Sequence, residues 1–244
     1  MKIDWSIGLI IGIFLGFTPS LFAQQGIDPE QNLRALGNLT PLSVGAIGFD
    51  NRYAGVQGTP LLFPEWQWGT IQFTKQDTFS VPYKLNVDLI KNTLIIQLRD
   101  GSLGEISANN VQAIQVKNEA GAAMRWRVAS EKEVEGIRSV RLKFYQAFYD
   151  GKSSLLKSND KRFKKADYKG AYNAGNTHDE FLTEEAFWLR VEEKPFEKIK
   201  IRRKEMENAL SAQAAEVTRL TKTNKLNLND VNDVAQLLML LEKK

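Results

Sequence analysis

The sequence predicts an α+β protein that is mainly β, an antiparallel meander forming a roll or partly closed barrel, finished by a C-terminal pair of amphipathic helices. Three observations carry that expectation. First, Phe79, Val81, Tyr83, Leu85 and Val87 alternate with Ser80, Pro82, Lys84, Asn86 and Asp88; a period of two puts successive side chains on opposite faces of a strand, here with one face buried. Second, apolar runs at 69–74, 93–99, 103–107, 111–117 and 124–129 are separated by Lys75-Gln76-Asp77, Lys91-Asn92, Asp100-Gly101 and Asn109-Asn110, and closely spaced turn formers join neighbouring antiparallel strands. Third, beyond Arg202 the period becomes helical: Met206, Leu210, Val217 and Leu220 make one apolar stripe, and Val231, Val234, Leu238 and Leu241 a second after the polar break at 227–230.

In chain order, Lys2 precedes an apolar run from Ile7 to Phe17, followed by Thr18-Pro19-Ser20 and Leu21-Phe22-Ala23. The run is shorter than the roughly 20 residues of a spanning helix and has the layout of a signal peptide over 1–23, cleaved near Ala23. Asp28-Pro29-Glu30 with Leu33, Leu36 and Gly37 reads as a short helix, Asp serving as N-cap and Gly lying past the end. Glycines at 45, 48, 55 and 58 mark an irregular approach with a lead-in strand over 44–49. In the strand from Phe79, Pro82 falls on the outward side, where its missing N–H suits an edge or a bulge.

A second hairpin is expected over 137–156 about Asp150-Gly151, with Val140, Leu142, Phe144 and Phe148 inward. A third joins Phe187, Leu189 and Val191 to Phe196, Ile199 and Ile201 through Glu193-Lys194-Pro195. Between them residues 158–183 read as a long connection anchored on the sheet by Phe163, Tyr168, Tyr172 and Phe181. Residues 24–202 then make the β domain, and 203–244 the helix pair packed on it, with Asn229 as N-cap of the second helix.

Composition removes several chemistries. Without cysteine there is no disulfide framework and no thiolate metal site. The 33 basic and 29 acidic residues leave a net charge of +4, too evenly balanced for a nucleic-acid module with its basic excess on one face. A serine hydrolase needs a base beside its nucleophile, most often histidine; the single histidine, His178, sits in the polar turn Gly175-Asn176-Thr177-His178-Asp179. Zinc would need several His or Cys ligands. The run from Asn227 to Asp233 fails as a calcium loop, since its sixth and twelfth positions hold Asn232 and Leu238 rather than Gly and Glu. No catalytic residue, metal or cofactor is assigned.

Two signals remain. Adjacent carboxylates at 179–180, 184–185 and 192–193 point to opposite strand faces, so an acid and base pair would have to come from separate segments, with Glu65, Asp88, Glu184 and Glu192 as candidates. Aromatics are dense in LLFPEWQWGTIQF at 61–73, and Trp66, Trp68, Tyr149 and Trp188 are the candidate ligand-binding side chains. Such rings stack on a glycan or line a cavity; the competing reading is that they pack the core.

The run from Asp50 to Trp66 with Gly69, the segment FYQAFYDGKSSLLK with the stretch that follows it to Phe181, and TKTNKLNLNDVNDVAQLL at 221–238 together resemble blocks of an uncharacterised family of exported Bacteroidetes-group proteins. The resemblance spans most of the chain beyond Ala23 and implies export and a single domain-sized unit. It implies no reaction, ligand or site residue, and Gln76-Asp77 and Asn176-Thr177-His178 depart from its pattern.

The expected function is that of an exported, non-enzymatic binding or structural module of the periplasm, cell surface or medium. Its partner would be a glycan, a small apolar ligand or an envelope protein, peripheral membrane contact is compatible, and nucleic acid is not expected. The alternatives are a carboxylate-dependent hydrolase acting on carbohydrate or peptide, and a carrier holding an apolar ligand against the Phe79 to Val87 face.

Overall fold

The alternating runs become strands of one antiparallel sheet. The computed structural model describes residues 40–42, 55–74, 78–117, 121–129, 133, 143–166 and 178–243. The short helix expected at 28–36, the lead-in strand at 44–49, and Val140, Leu142, Tyr168 and Tyr172 lie outside the described residues. The first half of the sheet holds β1 (Thr40–Leu42), β2 (Gln67–Phe73), β3 (Tyr83–Asp88), β4 (Thr93–Gln97), β5 (Leu103–Ser107) and β6 (Val111–Lys117). The second holds β7 (Ala123–Val128), β8 (Phe144–Asp150), β9 (Ser154–Lys164), β10 (Glu180–Arg190) and β11 (Glu197–Ile199). Their order across the sheet is β1-β5-β4-β3-β2-β6-β7-β8-β9-β10-β11.

That order forces a roll. Between β5 and β6 lie β4, β3 and β2, so a flat sheet would separate them by four strand spacings, roughly 19 Å. The chain makes this passage through a three-residue 3₁₀ turn, Ala108–Asn110, which advances only about 2 Å per residue. The strands must therefore curl until β5 returns toward β6. Gly69 helps the curl, since a Cβ there would meet the Gln115 carbonyl oxygen at 2.8 Å and a Leu85 methyl at 2.9 Å. Ile71, Leu85, Leu94, Ile96, Ile106 and Ile114 fill the inside of the roll with no exposed surface. The edges β1 and β11 are not paired with each other, so the sheet does not close into a barrel.

The strand expected from Phe79 begins instead at Tyr83. Pro82 has no N–H to give a ladder, and the residues ahead of it run beside β2, Ser80 N donating to the Ile71 carbonyl at 2.8 Å and Ile71 N to Ser80 Oγ at 3.0 Å. Phe79 and Val81 consequently stay 39% and 45% exposed rather than inward. At the other end of β3 the outward-facing Asn86 and Asp88 are buried. Beyond Leu85, β2 no longer pairs with β3, and residues 60–63 take its place: Leu62 N donates to the Val87 carbonyl and Leu89 N to the Pro60 carbonyl. Asn86 bolts this segment down, its Oδ1 accepting from Phe63 N at 3.1 Å and its Nδ2 donating to the Phe63 carbonyl at 2.9 Å.

The second half is a simple meander, and it corrects the expected connection at 158–183. Both ends of that stretch are strand: β9 and β10 pair continuously from Ser154 opposite Arg190 to Lys164 opposite Glu180. The pairing is held by charge, with Lys164 on Glu180 at 3.1 Å, Arg162 on Glu184 at 3.2 Å and Lys157 on Glu185 at 2.7 Å. Opposite charges across an antiparallel pair are favourable. Phe163 and Phe181 meet edge to face within the ribbon, centroids 5.6 Å apart. His178 lies just before β10 and is exposed.

One face of this half carries the helices. The first apolar stripe is split between α1 (Arg203–Ala209) and α2 (Ala214–Thr223) by a 3₁₀ turn at Ser211–Gln213, and the second forms α3 (Val231–Glu242). Met206, Leu210, Val217, Leu220, Val234 and Leu238 pack with Leu155 of β9 and Leu189 of β10. Asp230, not Asn229, caps α3, its Oδ1 accepting from Asn232 N and Asp233 N. Asn229 Oδ1 accepts from Arg203 N instead, capping α1 from across the bundle.

The last turn of α3 is clamped by Glu242, which stands where the helix dipole disfavours an anion. Its carboxylate accepts from Tyr149 Oη at 2.9 Å, Lys152 N at 2.8 Å and Ser153 N, tying α3 to the β8–β9 turn. Burial alone raises its pKa, but the hydrogen bonds from Ser153, Lys152 and Tyr149 together outweigh that and hold it below the usual range. A carboxyl with a lowered folded pKa stabilises above its unfolded pKa of about 4.3, and the contribution disappears as pH falls through the lowered value. Glu242→Gln is expected to lose about 1 kcal/mol at pH 7, solvent screening included. In urea titrations the gap between variant and parent should close at acid pH; a gap independent of pH would show that the charge plays no part.

Candidate functional site

The cleft that holds Trp68 is built from the curled first half of the sheet. Register lines up Trp68 opposite Lys84, Lys84 opposite Gln97, and Gln97 opposite Leu103, so indole, ammonium and amide stand side by side on the outward face. The chain forced away from β3 by Pro82 supplies one wall, Val81 and Pro82. The turn after β4 supplies the other: Gly101 adopts φ 82°, Leu98 N donates to the Ser102 carbonyl at 2.8 Å, and Asp100 Oδ1 accepts from Ser102 N at 2.9 Å. This places Leu98 and Arg99 on the rim of a cleft of about 420 Å³.

Trp68 is 62% exposed, the most exposed of the large hydrophobic side chains among the described residues. Lys84 Nζ stands 5.8 Å from the centre of its ring, within reach of a cation–π contact of about 0.5 kcal/mol at an exposed site. The lining residues comprise Trp68, apolar Val81, Pro82 and Leu98, the amide of Gln97 and the cations Lys84 and Arg99, together with Tyr83 and Gly101. Among the described residues no carboxylate lines it. The surface offers a flat π face, an amide able to donate and accept, and positive charge.

The other aromatics do not join it. Trp66 is half-buried and outside the cleft lining. Tyr149 belongs to the Glu242 clamp, and its pKa is pushed up to about 12 by burial first and then by the hydrogen bond and charge of Glu242. Trp188 is buried on the face opposite the helices with Tyr145, Leu156 and Phe196, its indole N–H donating to Ser158 Oγ at 3.2 Å. For Tyr149 and Trp188 the packing role is the one the structure shows. Sequence reasoning missed Lys84 and Gln97, which cross-strand register brings beside Trp68, and Arg99, which the turn after β4 places on the rim.

The four candidate carboxylates are each engaged locally or exposed. Asp88 Oδ1 accepts from Ile90 N and Lys91 N at 2.9 Å, capping the β3–β4 turn. Glu184 pairs with Arg162 and Glu192 accepts from Gln213 Nε2. Glu65 is exposed. Tyr83, Leu85 and Val87 are packed into the core of the roll, while Phe79 and Val81 are exposed. No helix among the described residues is long and apolar enough to cross a membrane, and no three His, Asp or Glu among them gather as a cation site.

Comparison with protein-family models, with curated proteins and with solved structures found no match to this chain.

Proposed function

We propose that this chain is an exported, non-enzymatic binding module of the cell envelope that takes a sugar ring on Trp68. The observation that carries the reading is the indole itself: a large ring left 62% exposed on the lining of an open cleft, where burial in the core would have stabilised it. Aromatic faces of this kind stack on the C–H face of a pyranose, and Gln97 beside it suits hydroxyl recognition. The engaged state of Asp88, Glu184 and Glu192 supports binding over turnover, and the packed face beneath Leu85 and Val87 supports a surface ligand over a carried apolar one. The signal-like residues 1–23 and the resemblance to exported Bacteroidetes-group proteins support an envelope location; a mature N-terminus near Gln24 is the expected result of sequencing the secreted chain.

Trp68→Ala is expected to weaken retention on a polysaccharide array by about tenfold or more while the urea midpoint stays unchanged, since the ring contributes little to the core. Equal retention by parent and variant would sink the reading. So would turnover of a glycan or peptide by the pure chain that a single polar substitution abolishes.

A further inference from the structure

We infer that the exposed basic border at 194–204 docks the chain on an anionic bilayer surface, a contact separate from the Trp68 cleft; it rests on the envelope location proposed above and not on the sugar site. The even charge balance of the chain conceals a local excess. Residues 194–204 hold six bases, Lys194, Lys198, Lys200, Arg202, Arg203 and Lys204, against one carboxylate, Glu197, so the 33 bases and 29 acids of the whole chain become 27 and 28 outside this segment. All six bases are exposed. Arg203 pairs with Glu207 at 3.6 Å, and among the described residues no carboxylate pairs with the other five.

Strand alternation sorts the signs. Lys198 of β11 stands opposite Trp188, on the face away from the helices, while Glu197 stands opposite Leu189, which packs against them. Ile199 and Ile201 also pack toward the helices, leaving Lys198, Lys200 and Arg202 exposed at the alternate positions. Because β11 is the last strand of the sheet, the row lies on a border that no neighbouring strand covers. A lysine on an edge strand commonly blocks pairing with another chain. That role accounts for Lys198, but the row runs past the end of β11 at Ile199 through Arg202 into the first residues of α1, where there is no ladder to protect.

The lack of any shaped recognition around these charges identifies the partner. Phe196, the aromatic residue of the segment, is buried. The groove beside β11 lies toward α1 and is lined by Glu197 and Glu205 as well as Lys194 and Lys198. The border therefore offers neither a stacking ring nor a purely cationic cleft to orient an acidic sugar chain or peptide. A fluid surface of lipid phosphates requires neither, only several exposed cations together, and clusters of about four to eight Lys and Arg serve that purpose.

The experiment is co-sedimentation of the purified chain with vesicles of mixed phosphatidylglycerol and phosphatidylethanolamine, with phosphatidylcholine vesicles showing any binding through apolar residues alone. Polygalacturonate and duplex DNA are offered in parallel as soluble polyanions. The variants replace Lys198, Lys200 and Arg202 together, by Gln in one and by Glu in another. A control reverses as much charge elsewhere, with Lys117→Glu, Lys165→Glu and Lys222→Glu, all exposed. Each base at an anionic surface strengthens binding about fivefold. The expected result is binding to the anionic vesicles that weakens with salt, falls about a hundredfold in the triple Gln variant, is lost in the triple Glu variant, and is retained in Trp68→Ala and more strongly in the control than in the triple Glu variant. Equal losses in the two triple reversals would make net charge the cause and overturn the border as a docking site. Equal binding to phosphatidylcholine, or binding of polygalacturonate or DNA through these residues in place of vesicles, would overturn the lipid partner. Absence of vesicle binding by the parent would remove this inference alone, since retention of glycans through Trp68 is read separately on the array.

Discussion

Arg127→Ala is expected to destabilise the protein by about 3 kcal/mol, the low end of the range for breaking a buried ion pair. The side chain is only 7% exposed and sits on the sheet face opposite the helices. It forks onto Glu133 with Nη1 and Nη2 at 2.9 and 2.7 Å, while its Nε lies 3.1 Å from Asp150 Oδ1, off the N–H direction. Its guanidinium also stands over the Phe196 ring at 5.7 Å, with Arg190 at 5.5 Å. Removing it leaves two largely buried carboxylates facing Arg190, 3.5 Å from Glu133, and Arg125, 3.7 Å from Asp150. Those partial substitutes set the loss at the low end. Arg127→Met with Glu133→Leu should regain most of the loss, as replacement of a whole buried pair by apolar groups does. Urea unfolding of the single and double variants checks both; a loss below about 0.5 kcal/mol would mean that the network is ornamental to the fold.

Much of the architecture was legible because it is local. Runs of alternating residues divided by Asp100-Gly101 or Asp150-Gly151 specify hairpins within a dozen residues, and β5, β6 and the β8–β9 turn appear where the sequence puts them. The return of β6 to β2 was not legible, since apolar runs on either side of Asn109-Asn110 look alike whether the turn makes a hairpin or a crossover. The ribbon of β9 and β10 was hidden for a related reason. Arg162 and Lys164 read as part of a long connection until register sets them against Glu184 and Glu180. At the cleft, Trp68 was visible as an aromatic, but nothing in the chain separates it from Trp188. Both are tryptophans on strands, and only the strand neighbours decide that one is buried and the other bare.

Asn86→Ala is expected to cost about 2 to 4 kcal/mol, more than its size suggests. By alternation Asn86 belongs with Lys84 on the solvent side of β3, and a solvated asparagine would be replaceable at little cost. It is 1% exposed because residues 60–63 lie over it, and its amide satisfies both Phe63 N and the Phe63 carbonyl while its Oδ1 also accepts from Val87 N at 2.8 Å. Alanine strands buried backbone groups that nothing else in the segment reaches. Asn86→Asp sharpens the test. It keeps the volume and the Oδ1 acceptor, but turns the Nδ2 donor into an oxygen facing the Phe63 carbonyl and buries a charge, so it should be at least as damaging at pH 7 and improve on acidification. The damage should also be local at first: Phe63 packs edge to face on Trp126 at 5.9 Å, and hydrogen exchange should speed up in residues 60–66 under conditions where β9 and β10 remain protected. Uniform acceleration through the whole sheet would instead make Asn86 part of the global folding unit, and a stability change below 0.5 kcal/mol would refute the bolt altogether.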